Sequence, residues 1–329
     1  MVDRSVAHDG RSVLRIAVLD DYQQLAPDIV DWSPIPRPIQ VEPIPTHLAD
    51  RAELAERLAG CQIVVAMRER TAIDRELLRK LPELELLVTT GPSNVAIDVE
   101  AAREMGVEVC GTGGYLTPTS EHTWALILSL LRRIPTEDRS IRRGGWQHTL
   151  GVELAGRTLG LLGLGRLGAL VAEVGRAFKM DVISWSQNLT DERASEVGVT
   201  RVGRDELFAR SDVLSIHLVL SERSTGLVGA AELSKMKPSA VLVNTSRGPI
   251  IDEAALIAAL EAGEIGGAAL DVFDTEPLPV DHPLCRAPNT VLTPHIGYVT
   301  DGLYELFYEQ IVEVIAGWCD GTVIRPVLP

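Results

Sequence analysis

Thr158-Leu159-Gly160-Leu161-Leu162-Gly163-Leu164-Gly165-Arg166-Leu167-Gly168 decides how the chain folds. Residues 158–162 form an apolar run that reads as a buried strand, a turn with three glycines follows, and residues 169–179 have helical character. Strand, glycine turn and helix in that order make a dinucleotide-binding turn. Gly163 permits the tight turn, Gly165 lets backbone N–H groups approach a pyrophosphate, and Gly168 lets helix and strand pack closely. The helix N-terminus adds partial positive charge for the phosphates. Arg166 and Leu167 lie within the turn and join the candidate cofactor-binding set. A plain structural glycine turn is the competing reading, and the flanking strand and helix weigh against it.

Working outward, the chain alternates short apolar runs with helix-like segments on both sides of this turn. Before it, strands are expected over 14–19, 62–66, 85–88 and 107–110, with helices over 48–58, 73–81 and 98–105. After it, strands are expected over 181–185, 213–217, 240–244, 268–271 and 290–293. Two parallel α/β units in one chain follow from that pattern. Residues 121–132 read as a long apolar helix joining them, suited either to a core or to a subunit interface. Residues 301–316 read as an amphipathic helix too short to be a domain, expected to pack back on the first unit and make it discontinuous. Residues 1–11 read as a loose leader.

The 329 residues, 46% hydrophobic, suffice for two cores. A formal net charge of -15, with no block of like charges, argues against nucleic acid or an anionic membrane as the main partner. Any anionic ligand must be gathered by local arginines. Four dispersed cysteines and no apolar span or signal segment make reduced thiols in a cytoplasmic protein the expectation. Seven scattered histidines, with no metal-ligand spacing, give a metal site little support.

Three later segments each end an expected strand: Asn244-Thr245-Ser246-Arg247-Gly248-Pro249, Leu270-Asp271-Val272-Phe273-Asp274-Thr275-Glu276-Pro277 and Thr293-Pro294-His295-Ile296-Gly297. Each puts a charged or titratable side chain at the carboxyl edge of the sheet, where open α/β sheets bind ligands. With Arg247, Glu276 and His295 lying 84, 113 and 132 residues beyond Gly163, the chain resembles the D-isomer-specific 2-hydroxyacid dehydrogenases over residues 14–329. The resemblance implies two doubly wound parallel-sheet domains with the active site in a cleft between them. A flavodoxin-like substrate domain would comprise residues 1–113 and 300–329, and a Rossmann NAD(P)-binding domain residues 114–299. It also implies a homodimer.

Oxidising a secondary alcohol beside a carboxylate requires a base for the hydroxyl proton while hydride leaves carbon for a nicotinamide. His295 suits that task, because imidazole titrates near neutral pH and can return the proton in reduction. In the family's pattern Glu276 bonds the other ring nitrogen and Arg247 grips the substrate carboxylate or carbonyl with its planar fork. Taken singly, each has a bland reading: a loop histidine, a turn glutamate, a paired arginine. The resemblance further assigns substrate contact to the loop Thr90-Gly91-Pro92-Ser93-Asn94, through its backbone N–H groups, and to Arg68. Asp271 would hold the nicotinamide carboxamide and His217 would wall the cofactor side. A strand-to-helix turn, a surface ion pair and a buried capping aspartate are the respective alternatives.

The chain departs from the family in two places. Ser186 stands where NAD-selective members carry an aspartate for the ribose hydroxyls, and Arg166 and Arg193 are the nearest cations, so NAD and NADP both stay open. His217-Leu218-Val219 replaces a more usual His-x-Pro. The expected function is interconversion of a small 2-keto acid and a D-2-hydroxy acid, as in glyoxylate or hydroxypyruvate reductases. Glu276 disfavours formate dehydrogenase, which pairs its histidine with glutamine. Phosphoglycerate dehydrogenase remains an alternative, although the chain ends soon after its last helix. So does a dinucleotide-sensing corepressor on the same fold, which turnover would separate.

Overall fold

The computed structural model describes residues 13–328, so the expected leader lies outside the described residues. Those up to Tyr115, together with those from Thr300 onward, form one compact unit, and Leu116–Val299 form a second.

The first unit holds β1 (Leu14–Val18), β2 (Ile39–Pro43), α1 (Arg51–Leu58), β3 (Ile63–Ala66), α2 (Arg75–Arg79), β4 (Leu86–Thr89), α3 (Val99–Glu104) and β5 (Glu108–Gly111). Its strands are all parallel in the order β2-β1-β3-β4-β5, the flavodoxin-like arrangement. Every residue of β3 and β4 is buried, as strands covered on both faces require. One aspartate precedes each helix here: Asp50, Asp74 and Asp98 accept backbone N–H bonds from the first turns of α1, α2 and α3. β2 escapes the sequence pattern because it is a half-buried edge strand set between Pro38 and Pro43.

The second unit holds α4 (Thr117–Leu131), α5 (Ile134–Ile141), β6 (Thr158–Leu162), α6 (Arg166–Ala177), β7 (Asp181–Trp185), α7 (Asp191–Val197), β8 (Thr200–Arg201), α8 (Arg204–Arg210), β9 (Val213–Ile216), α9 (Ala230–Leu233), β10 (Val241–Asn244), α10 (Glu253–Ala262), β11 (Gly267–Leu270) and β12 (Thr290–Leu292). The order β12-β11-β10-β9-β6-β7-β8 is parallel throughout and reverses direction between β6 and β9. That reversal opens a crevice at the carboxyl ends of these two strands, where this fold binds ligands. The long apolar helix is α4, a core element of this unit: Trp124, Ile127 and Leu130 are buried, and the Trp124 ring lies 5.1 Å from Phe178. α5 buries no residue, which is why no apolar stripe announced it.

The last helix, α11 (Asp301–Cys319), buries Leu303, Tyr304, Phe307, Tyr308, Ile311 and Ile315 at helical spacing and belongs to the first unit. Tyr308 meets Trp32 edge-on, and Gly113 N donates to Gln310 Oε1 at 2.6 Å. All four cysteines are free; burial pushes the Cys110 thiol up to about 11. No described helix is long and apolar enough to cross a membrane.

Candidate active site

The glycine turn lies at the carboxyl end of β6. Gly163 has φ +108°, a conformation side chains rarely adopt, and a Cβ there would stand 2.5 Å from His217 O. A Cβ on Gly168 would stand 2.4 Å from Gly163 O, so helix and turn touch backbone to backbone. Around Gly165 the space is open to 4 Å. Gly165 also caps α6 without a side-chain acceptor, leaving the first N–H groups of the helix directed at that open face. Backbone donors, helix dipole and clearance together fit a pyrophosphate.

Past the end of β7 lies a cavity of about 380 Å³ bordered by Ser186, Gln187 and Asn188 from one side and by Leu218, Arg223 and Ser224 from the other. Of the arginines suggested by sequence proximity, Arg193 pairs with Glu196 at 3.2 Å, and neither it nor Arg166 borders the cavity. Arg223 does, and sequence distance from Ser186 had hidden it.

At the ends of β10, β11 and β12 the three motif residues are held by their own loops. His295 Nδ1 donates to Glu276 Oε2 at 2.6 Å, and Phe273 N donates to Glu276 Oε1 at 3.0 Å. The ring also meets Tyr298 edge-on at 5.7 Å. With Nδ1 committed to Glu276, the chemistry of imidazole assigns any proton exchange with a ligand to Nε2. Arg247 Nη1 donates to Ser246 O at 2.7 Å, Asn244 Nδ2 donates to Arg247 O, and Ser246 Oγ donates to Ile216 O. Asn244 and Ser246 are thus positioning residues that the sequence quoted but did not single out. A Cβ on Gly248 would stand 2.1 Å from Phe273 C, so the arginine loop is pressed against the backbone that leads to Glu276.

Asp271 is 1% exposed, and its carboxylate accepts from His122 Nε2, Thr293 Oγ1, Ile296 N and Gly297 N. Burial raises its proton affinity, but the bonds from His122 and Thr293 outweigh burial and hold it below the usual carboxylate range. The geometry therefore makes it first a strut for the His295 loop, the alternative weighed beside cofactor contact. His217 lies under the glycine turn. Its Nε2 contacts Ser215 Oγ at 2.9 Å, and burial pushes the imidazole down to about 4, so it is neutral at physiological pH.

In the first unit, the Arg68 guanidinium lies over Gly91, whose Cβ would meet Nη1. Arg68 N donates to Thr90 Oγ1 at 2.9 Å. The buried Asn94 side chain donates to Arg68 O and Thr89 Oγ1 and accepts from Ala96 N, so it braces the loop. Pro92 and Ser93 are exposed.

Comparison with known proteins accords with this geometry. Residues 124–297 match the family model of the D-isomer specific 2-hydroxyacid dehydrogenase, NAD binding domain. A glyoxylate reductase of Aeropyrum pernix is 44% identical over 69% of this chain and 71% of its own length. A D-3-phosphoglycerate dehydrogenase of Archaeoglobus fulgidus is 38% identical over 76% of this chain and 48% of its own. The crystal structure of a phosphoglycerate oxidoreductase from Vibrio cholerae superposes with a TM-score of 0.89 at 34% identity, covering 94% of this chain and all of that one. The chain belongs to the D-isomer specific 2-hydroxyacid dehydrogenases. It is an NAD(P)-dependent oxidoreductase acting on the CH–OH group of 2-hydroxy acids.

Proposed function

We propose that the protein reduces a small 2-keto acid of the glyoxylate or hydroxypyruvate class, with His295 as the proton donor, Glu276 as its partner and Arg247 as the anchor for substrate. The observation that carries this reading is the 2.6 Å bond between His295 Nδ1 and Glu276 Oε2 beside the packed Arg247 loop. The 44% identical glyoxylate reductase supports the substrate class. The phosphoglycerate dehydrogenase relative supports a second reading, with a phosphorylated 3-carbon acid as substrate.

The nicotinamide, when bound, supplies the hydride in reduction and accepts it in oxidation. His295 gives a proton from Nε2 to the forming alkoxide, and Glu276 stabilises imidazolium before that transfer. Arg247 neutralises the substrate carboxylate and draws charge onto the carbonyl oxygen. The glycine turn with Gly163, Gly165, Arg166, Leu167 and Gly168 seats the pyrophosphate, and Ser186 faces the adenosine ribose. His217 supplies an uncharged wall, and Asp271 Oδ2, which takes only Gly297 N from the described residues, offers a lone pair to a carboxamide. On the first unit, Ser93 and Asn94 N–H groups donate to no described acceptor and suit a substrate carboxylate beside Arg68 and Gly91. A homodimer is supported by the exposed apolar Ile134, Ile141, Trp146 and Leu150 on and after α5. Four free cysteines support a cytoplasmic setting.

A reductive screen with NADH and NADPH against glyoxylate, hydroxypyruvate, its 3-phosphate, pyruvate and phenylpyruvate tests the substrate class. Turnover confined to the phosphorylated acid would favour the second reading, and none at all would remove both. Arg247→Ala is expected to raise KM and lower kcat with nucleotide affinity unchanged. Loss of nucleotide binding with intact substrate kinetics would overturn the role of Arg247.

A further inference from the structure

We propose that Arg223 recognises the 2'-phosphate of NADP(H) and makes the phosphorylated dinucleotide the preferred cofactor. The inference deepens the proposed function and rests on the glycine turn being the pyrophosphate seat. From that seat, the end of the second strand is where this fold places the adenosine ribose. Here that strand is β7, and Ser186, the residue after it, borders the cavity with Gln187 and Asn188. None of these carries a carboxylate to grip the ribose hydroxyls or to repel a phosphate.

Arg223 is the one charged residue among those bordering the cavity. Its guanidinium makes no ion pair or hydrogen bond with any described residue, so five donors stand ready for a ligand. Arg166 does not border the cavity, and two other arginines nearby are engaged. Arg204 pairs with Glu232 at 3.0 Å and stacks over Trp185, and Arg193 pairs with Glu196. The segment that carries Arg223 is tied down: Ser221 N donates to Ser224 Oγ at 2.7 Å, Ser224 Oγ donates to Val219 O at 2.8 Å, and Ser224 N donates to Ser221 O. A fixed loop lowers the ordering cost of forming the contact. The geometry thus offers a planar fork of opposite charge, with neutral side chains of Ser186, Gln187 and Asn188 facing it, and a phosphate dianion is the group such a fork binds best. With a net charge of -15 the protein's general field repels that dianion, so selectivity has to come from this local cation.

Calorimetric titration of the whole protein with adenosine 2',5'-bisphosphate and with 5'-AMP separates this contact from catalysis. Wild type is expected to bind the bisphosphate at least about tenfold more tightly than AMP. Arg223→Ala and Arg223→Gln, checked for unchanged melting temperature, should erase that gap while leaving AMP affinity as it was. In parallel, kcat/KM for NADPH should fall about tenfold with NADH unaffected, and the gap should shrink with added salt. Equal binding of the two nucleotides by wild type, or equal loss of both in the variants, would overturn the assignment. Turnover with NADH alone would refute Arg223 while leaving the reductase reading intact, whereas failure of either nucleotide to bind would remove the cavity as the adenosine site.

Discussion

Two of the histidine-carboxylate pairs among the described residues of the second unit, both with a carboxylate that follows β11, are built differently. His295 and Glu276 approach to 2.6 Å with 17% and 26% of their side chains exposed, and among the described residues Glu276 receives one further bond, from Phe273 N. His122 and Asp271 approach to 3.2 Å, but Asp271 is buried and receives Thr293 Oγ1, Ile296 N and Gly297 N as well. A carboxylate that accepts from four protein donors works as a strut. One that accepts from two, beside a partly exposed ring, can respond to a proton arriving or leaving. Closeness of histidine to carboxylate therefore does not identify a base; the number of donors already committed does. The two pairs are also joined, because Asp271 grips the two residues that follow His295.

Removing the ring of the open pair should do most damage: His295→Asn is expected to lower kcat by about a hundred- to ten-thousandfold with nucleotide binding kept. A variant retaining a tenth of wild-type turnover would end its assignment as proton donor. Breaking the closed pair should show first in folding. Asp271→Asn removes the charge behind two backbone bonds, at a cost of about 2 kcal/mol in denaturant unfolding, and loosens the His295 loop. A loss of kcat without any loss of stability would contradict the strut reading.

His217 sharpens the contrast because it has no carboxylate. Its folded-state proton affinity lies below the unfolded value near 6.5, so it contributes stability above that pH. That contribution is lost as pH falls toward about 4. Unfolding free energy should fall by about 2 kcal/mol over this window, and His217→Gln should flatten the profile. The smallest effect is expected at Glu276→Gln. The amide keeps the size of the side chain and loses the charge that orients the His295 ring, so kcat should fall about tenfold in both directions with nucleotide binding kept. Unchanged kcat in both directions would take Glu276 out of the partnership.

Much of the comparison was legible beforehand. The strand, glycine turn and helix at 158–177 were readable because buried parallel strands are continuous apolar runs and because glycines mark a backbone that must approach something closely. Arg247, Glu276 and His295 were readable because each follows such a strand. β2 was not, since an edge strand between two prolines has no alternation to display. α5 was not, since a helix that buries nothing carries no stripe. Asp271 reads the same in sequence as a cofactor contact or as a buried cap, because the sequence does not show that four donors converge on it. Arg223 belongs to a cavity wall it shares with Ser186, 37 residues earlier in the chain, a proximity created by the order of β7, β6 and β9.

The contact of Gly248 with Phe273 has a bearing on how this chain can be changed. Because two loops meet there backbone against backbone, a single methyl group at 248 acts as a wedge between the Arg247 loop and the backbone that leads to Glu276. Substitutions that retune the acceptor acid must therefore come from elsewhere, and a random library will report this spot as intolerant although no side chain there touches a ligand.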